Sequence, residues 1–140
     1  VLSCAGLIHD LGNPPFGHFG EVAIREWFAS KLKKNKDGSF YFKFEEYEFK
    51  LERQEVLDLL NFEGNAQGLR ILTKLHFVID RYGMNLTTGV LNSIIKYPIS
   101  SLELGNKKFG GKKIGYFKAE ENTFNYIVNS TKIGENIRGC

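Results

Sequence analysis

Helix cannot continue through the run Gly12-Asn13-Pro14-Pro15. Each proline fixes its own φ, removes a backbone donor and pushes the preceding residue out of the helical region. Whatever precedes the run must end by about Gly12, and whatever follows starts on a new axis. Before it, Val1 to Ile8 is apolar and small, and Val1 to Leu11 reads as the end of a buried helix. After it, Phe19 to Leu32 has a helical pattern with Val22, Ala23, Trp27 and Phe28 as the apolar stripe. The first quarter of the chain is therefore a helix, a rigid corner and a second helix.

The corner is also rich in reactive groups. His9 and Asp10, adjacent in sequence, offer an imidazole nitrogen and a hard carboxylate oxygen to one divalent cation. That mixed pair suits Mn, Fe, Co or Ni and is tolerated by Mg. His18 and Glu21 lie three residues apart and share one face of the second helix. Glu21 can orient the His18 ring for proton transfer; an acid in a first helical turn is also favoured by the helix dipole alone. Asn13 can donate a hydrogen bond but carries no charge, so it reads either as a substrate contact or as a turn residue.

The rest of the chain is mostly helical in pattern. Phe40 to Phe44 alternates weakly, which predicts a strand or one arm of a short β-hairpin near residues 38–50. The charges and leucines from Glu45 to Leu60 favour helix, as does Asn65 to Leu75. Thr87 or Thr88 can cap a helix running to Tyr97, where Pro98 stops it. Ser100 to Gly115 is rich in glycine and lysine and reads as an irregular, mobile loop; a last helix is expected from Ala119 to Asn129. His76 reads as a surface or packing residue.

Composition narrows the function classes. With 42% hydrophobic and 25% charged residues the chain has an ordinary soluble balance. No stretch is long and apolar enough for a membrane span, and no signal peptide is visible. Cys4 and Cys140 do not form a disulfide framework; Cys4 reads as a buried structural thiol, and a reducing cytoplasm fits. The net charge of +3 is concentrated in Lys31, Lys33, Lys34 and Lys36, and again in Lys107, Lys108, Lys112 and Lys113. Such clusters serve as solvated loops or as contacts for a polyphosphate or nucleic-acid strand. The chain opens at Val1 inside an apolar run, and is expected to be an internal slice of a longer protein.

Four segments carry a family resemblance. His9 to Glu21, HDLGNPPFGHFGE, resembles the H-D-L-G-[HN]-P-P-F-G-H-x-G-E segment of the HD-domain deoxynucleoside triphosphate triphosphohydrolases, the dGTPase family. Phe62 to Leu72 resembles that family's F-E-G-N-A-Q-x-x-R-I-L helix. Lys96-Tyr97-Pro98 resembles its K-Y-P helix end, and Lys113 to Phe117 with Glu120 its K-x-G-Y-F-x-x-E stretch. Many relatives carry His where this chain has Asn13.

The resemblance implies a mainly α fold, an orthogonal helical array of the HD type, with the hairpin as an insertion and residues 1–140 as part of one HD-type domain. It implies hydrolysis of dGTP or other dNTPs to deoxynucleoside and tripolyphosphate. His9 and Asp10 would hold the divalent metal, Mg or Mn foremost, with Fe, Co and Ni as alternatives. Two further ligands, an upstream His and a downstream Asp, are expected outside this chain, because Asp58 and Asp80 lack the family context. The segment alone is therefore expected to be inactive. His18 and Glu21 would be catalytic, and Asn13, Asn65, Lys96, Tyr97 and Lys113 would contact polyphosphate or sugar; Tyr97 reads equally as core packing. Implied partners are a dNTP, single-stranded DNA or an allosteric nucleotide, and further copies in a homo-oligomer. The alternative is a nucleic-acid-binding or regulatory module with a vestigial site.

Overall fold

In the computed structural model, which describes residues 1–76, 81–105 and 111–132, helix α1 (Leu2–Ile8) ends at His9. Two tight turns then follow, with the Leu11 N–H donating to the Ile8 carbonyl and the Asn13 N–H to that of Asp10. Phe16 and Gly17 both take positive φ, 66° and 55°, and aim the chain into α2 (His18–Lys31). Only Gly17 adopts that conformation without steric cost.

Helix α2 passes directly into a three-stranded antiparallel sheet, β1 (Leu32–Lys34), β2 (Phe40–Phe44) and β3 (Tyr47–Leu51). The register pairs Leu32 with Phe42, Phe42 with Phe49 and Phe44 with Tyr47. Side chains alternate across a strand, so these aromatics share one face. Trp27 and Phe28 of α2 pack on that face, each with its ring 5.7 Å from the Phe42 ring. The hairpin expected near residues 38–50 is formed by β2 and β3, and it corrects the helix expected from Glu45: Glu45 turns the chain at φ 53°, and helix α3 (Arg53–Leu60) begins only after β3. Cross-strand aromatic pairing outweighs the helical propensity of the interleaved charges. Glu52 caps α3, its N–H donating to the Glu55 carboxylate at 2.7 Å.

Helix α4 (Gly64–Arg70) widens into a π-helical turn at Ile71–Leu75. The widened turn leaves the Leu72 carbonyl to accept the Met84 N–H at 2.9 Å. Helix α5 (Thr88–Ile94) stops earlier than Pro98 requires, and a 3₁₀ turn at Lys118–Glu120 leads into α6 (Glu121–Thr131). The main core gathers Ile8 of α1, Leu69 and Leu72, Val90 and Leu91 of α5, and Phe124 and Ile127 of α6. Tyr116 stacks on Phe124 with ring centres 4.1 Å apart. A smaller cluster joins Ala66, Ile114 and Phe117. The fold is mainly α with one small sheet.

Several burial expectations are corrected. In α1 the residue that enters the core is Ile8, while Leu2, Leu7 and Cys4 are exposed. In α2 Val22 and Trp27 remain 45% and 42% exposed, whereas Glu21 is buried. That helix turns a polar edge toward α4 because Glu21 and Arg25 find partners there. The stretch after Pro98 is irregular, yet Ile99, Ser100 and Ser101 are buried and the Gly115 N–H donates to the Ile99 carbonyl. Lys107 and Lys108, Asp80 and Cys140 lie outside the described residues.

The corner and α4 approach each other backbone to backbone. A Cβ on Gly12 would fall 1.9 Å from the Gly64 carbonyl oxygen and 2.2 Å from the Gly68 nitrogen. Neither partner can move away, since both are helix backbone. On the opposite side of the contact, a Cβ on Gly68 would meet Gly12 only at 3.6 Å, ordinary van der Waals distance. Gly12→Ala should therefore destabilise by about 2–3 kcal/mol. Gly68→Ala should be neutral or stabilising, by up to about 1 kcal/mol of helix propensity. Urea unfolding of the two variants in the complete protein compares them directly.

Candidate active site

The end of α1 presents the first group of donors. The His9 ring bonds through Nδ1 to the Gly6 carbonyl at 2.8 Å, so Nδ1 carries the proton and Nε2 keeps its lone pair when the ring is neutral. That Nε2 lies 2.9 Å from Asp10 Oδ2. Two acceptor atoms this close require a shared proton or a cation between them. Asn13 donates to the other Asp10 oxygen at 3.1 Å and steadies the carboxylate. The pair is about half exposed and its donor chemistry fits a divalent metal, as part of a ligand set. Among the described residues no group of three or more His, Cys, Asp or Glu converges to complete such a set. Asp58 is committed elsewhere: it is buried, accepts the Lys118 N–H at 2.6 Å, and burial pushes its carboxyl above the usual range.

The second group sits across the corner, where α2 begins. His18 is exposed, and its Nδ1 lies 2.9 Å from Oε2 of the buried Glu21. A carboxylate only accepts, so Nδ1 holds a proton and Nε2 faces outward. The other Glu21 oxygen, Oε1, accepts the Gly64 N–H at 2.8 Å from the first turn of α4. Burial alone would push the Glu21 carboxyl up. The His18 hydrogen bond, the Gly64 N–H and the nearby charges of His18 and Arg25 together outweigh it and hold the group below the ordinary carboxylate range.

A third group completes a continuous network. Arg25, one turn beyond Glu21, places its guanidinium 3.6 Å from Glu21 Oε2 and 3.5 Å from Glu63 Oε2. Its Nε donates to the Phe62 carbonyl at 2.7 Å, which fixes the plane of the fork. Glu63 Oε1 accepts from Asn65 at 2.8 Å and from Lys113 at 3.2 Å. The Lys113 ammonium also lies 5.9 Å from the centre of the Tyr97 ring. His18, Glu21, Asn65, Lys113 and Tyr97 are thereby brought together from four segments of the chain. Asn13 adjoins them through Gly64, where an added Cβ would fall 2.6 Å from Asn13 Oδ1 and 3.1 Å from Glu21 Oε1. Lys96 is exposed and enters none of these contacts.

The comparisons with known proteins concern this same stretch. No family model matches the chain. Over 136 residues it is 48% identical to the deoxyguanosinetriphosphate triphosphohydrolase-like protein of Listeria monocytogenes, an alignment covering 97% of this chain and 28% of that protein. The chain belongs to the deoxyguanosinetriphosphate triphosphohydrolase-like family. A relative of the same name from Synechocystis is 37% identical over 93% of the chain. The deoxyguanosinetriphosphate triphosphohydrolase of an Enterobacter strain is 36% identical over 86% of the chain. The chain spans 29% or less of the length of these relatives. Among its described residues no helix is long and apolar enough to cross a membrane.

Within this family segment, sequence reasoning missed Arg25 and Glu63 as site residues. Glu63 stands inside a motif quoted above, and Arg25 follows Glu21 at the helical spacing of four; both signals are available in the sequence. Because the folded Glu21 carboxyl is depressed, its ionised form contributes stability above the ordinary carboxylate pKa. That contribution is lost as pH falls through the folded value. Replacing it by Glu21→Gln should flatten the loss of stability as pH falls through and below the ordinary carboxylate range. Denaturant melts of both proteins from neutral pH downward measure the difference in slope.

Proposed function

We propose that the complete protein carrying this segment hydrolyses dGTP or other dNTPs to deoxynucleoside and tripolyphosphate. The observation that carries the reading is the His18–Glu21 pair, anchored on the α4 backbone through Gly64 and linked through Arg25 and Glu63 to Asn65 and Lys113. Polar side chains from the corner, from α4 and from the segment before α6 are joined in one chain of contacts. The family name of the relatives supports the substrate class.

His9 and Asp10 would hold a divalent metal, with further ligands from outside this segment. When bound, that ion supplies charge neutralisation at the α-phosphate. The remaining work falls to the chain's own residues. Water attacks the α-phosphorus, the bond to the 5′-oxygen breaks, the water oxygen stays on the tripolyphosphate and a proton ends on the 5′-oxygen. His18 transfers a proton at Nε2, either taking it from the attacking water or giving it to the leaving oxygen. Glu21 fixes the tautomer through Nδ1 and stabilises the ring when it is charged. Lys113 sets a cation against the polyphosphate, and Asn65 and Tyr97 offer hydrogen bonds to phosphate or sugar. Lys96, exposed and outside these contacts, would add a second cation for the polyphosphate, and Asn13 orients Asp10.

In the complete protein His18→Ala should lower kcat by about 10²- to 10⁴-fold while nucleotide binding is retained. Release of inorganic tripolyphosphate from dGTP is the assay, and a loss below about tenfold would remove His18 from the mechanism. Lys113→Met should weaken all four dNTPs by similar factors, read as kcat/KM at two ionic strengths. A variant that altered only the preference among bases would place Lys113 at the nucleobase instead.

A further inference from the structure

We infer that Glu63 is the positioning carboxylate of this site, coupling the residues proposed to grip the phosphates to the proton-transfer pair through Arg25. The inference rests on the phosphohydrolase reading above. Glu63 is buried, 3% exposed, at the residue preceding α4. As a helix N-cap its side chain would normally serve the helix's own free N–H groups, but it makes no such bond. Instead one oxygen holds Asn65 and Lys113, and the other faces Arg25. A buried carboxylate is expensive to desolvate, and a network of this kind is weak evidence for stability. What it does supply is geometry. Lys113 lies 50 residues further along the chain and Arg25 lies 38 residues earlier, and Glu63 touches both.

The same contacts make Glu63 an electrostatic regulator of His18. The charged groups around the pair are Glu21 and Arg25 from α2, Glu63 beside α4, and Lys113 from the later segment. Arg25 is shared between two carboxylates. With Glu63 neutralised, its fork is drawn wholly to Glu21, and Glu21 then holds the His18 proton less strongly. With Arg25 neutralised, Glu21 keeps the Gly64 N–H but loses its neighbouring cation, and holds that proton more strongly.

The test measures kcat, KM and the pH profile of kcat/KM for dGTP hydrolysis by the complete protein. Glu63→Gln should lower kcat by about tenfold, raise KM, and move the His18 limb of the profile down by about half a pH unit. Arg25→Gln should lower kcat with little change in KM and move the limb up by a similar amount, and Arg25→Lys should return it. A purely structural role does not produce shifts of opposite sign. If both variants melt like the wild type and the limb stays fixed, or moves the same way in both, the inference is overturned. Should Glu63→Gln not fold, Arg25→Gln against Arg25→Lys decides by the same limb. His18→Ala run in parallel separates the two levels: wild-type turnover there would sink the functional reading and this inference together. An inactive His18→Ala beside unshifted Glu63 and Arg25 variants would sink this inference alone.

Discussion

Backbone-to-backbone contact between Gly12 and the first turns of α4 sets the spacing on which the site depends. The corner can lie against Gly64 and Gly68 only because Gly12 has no side chain. From that contact, α1 projects His9 and Asp10 on one side and α2 projects His18 and Glu21 on the other. The Gly64 N–H, unpaired within its own helix, then becomes the donor that locks the buried Glu21 oxygen. One steric condition thus serves both halves of the site. A side chain at Gly12 would separate motifs that are 43 residues or more apart in sequence.

Charge is arranged around this contact in a way that apolar packing alone would not need. The main core is built from aliphatic and aromatic side chains of α1, α4, α5 and α6. The face of α4 toward the corner instead meets two buried carboxylates, Glu21 and Glu63, with Arg25 and Lys113 in compensation. A similar device closes the far end of the helix, where Arg70 pairs with the fully buried Glu120 at 2.9 Å and lies over the Phe117 ring. Helix α4 is therefore held by ion pairs at its two ends and by aliphatic packing between them. Its polar end retains groups whose protonation and hydrogen bonding can respond to a ligand.

How much of this is legible in the sequence depends on the range of the forces involved. The corner is legible, because proline and glycine act within one or two residues. The adjacency of His18 and Glu21 on one helical face is legible for the same reason. The hairpin near residues 38–50 is legible from the alternation of Phe40–Phe44, but its second strand competes with a helical reading from Glu45. Tyr47–Leu51 interleaves charged and apolar side chains, and the cross-strand partners in β2 decide between helix and sheet. The buried side of α2 is misread because a hydrophobic stripe was expected to face inward. Glu21 and Arg25 occupy that side through partners on α4 that no local pattern reveals. The link through Glu63 is the least legible part of the site, since its two cations come from opposite ends of the chain.

The small sheet has a consequence beyond its own packing. It occupies Leu32 to Leu51, the middle of the stretch that separates Glu21 from Gly64. Its antiparallel strands set Leu32 opposite Phe42 and Phe40 opposite Leu51, so the chain enters and leaves two strands apart, roughly 10 Å. A loop that would otherwise close over 43 residues behaves as one of about half that length. Each halving of an effective loop lowers the entropy of closure by about 0.6 kcal/mol. By pairing with itself the sheet offsets its own length, so the corner meets α4 at the closure cost of a much shorter loop.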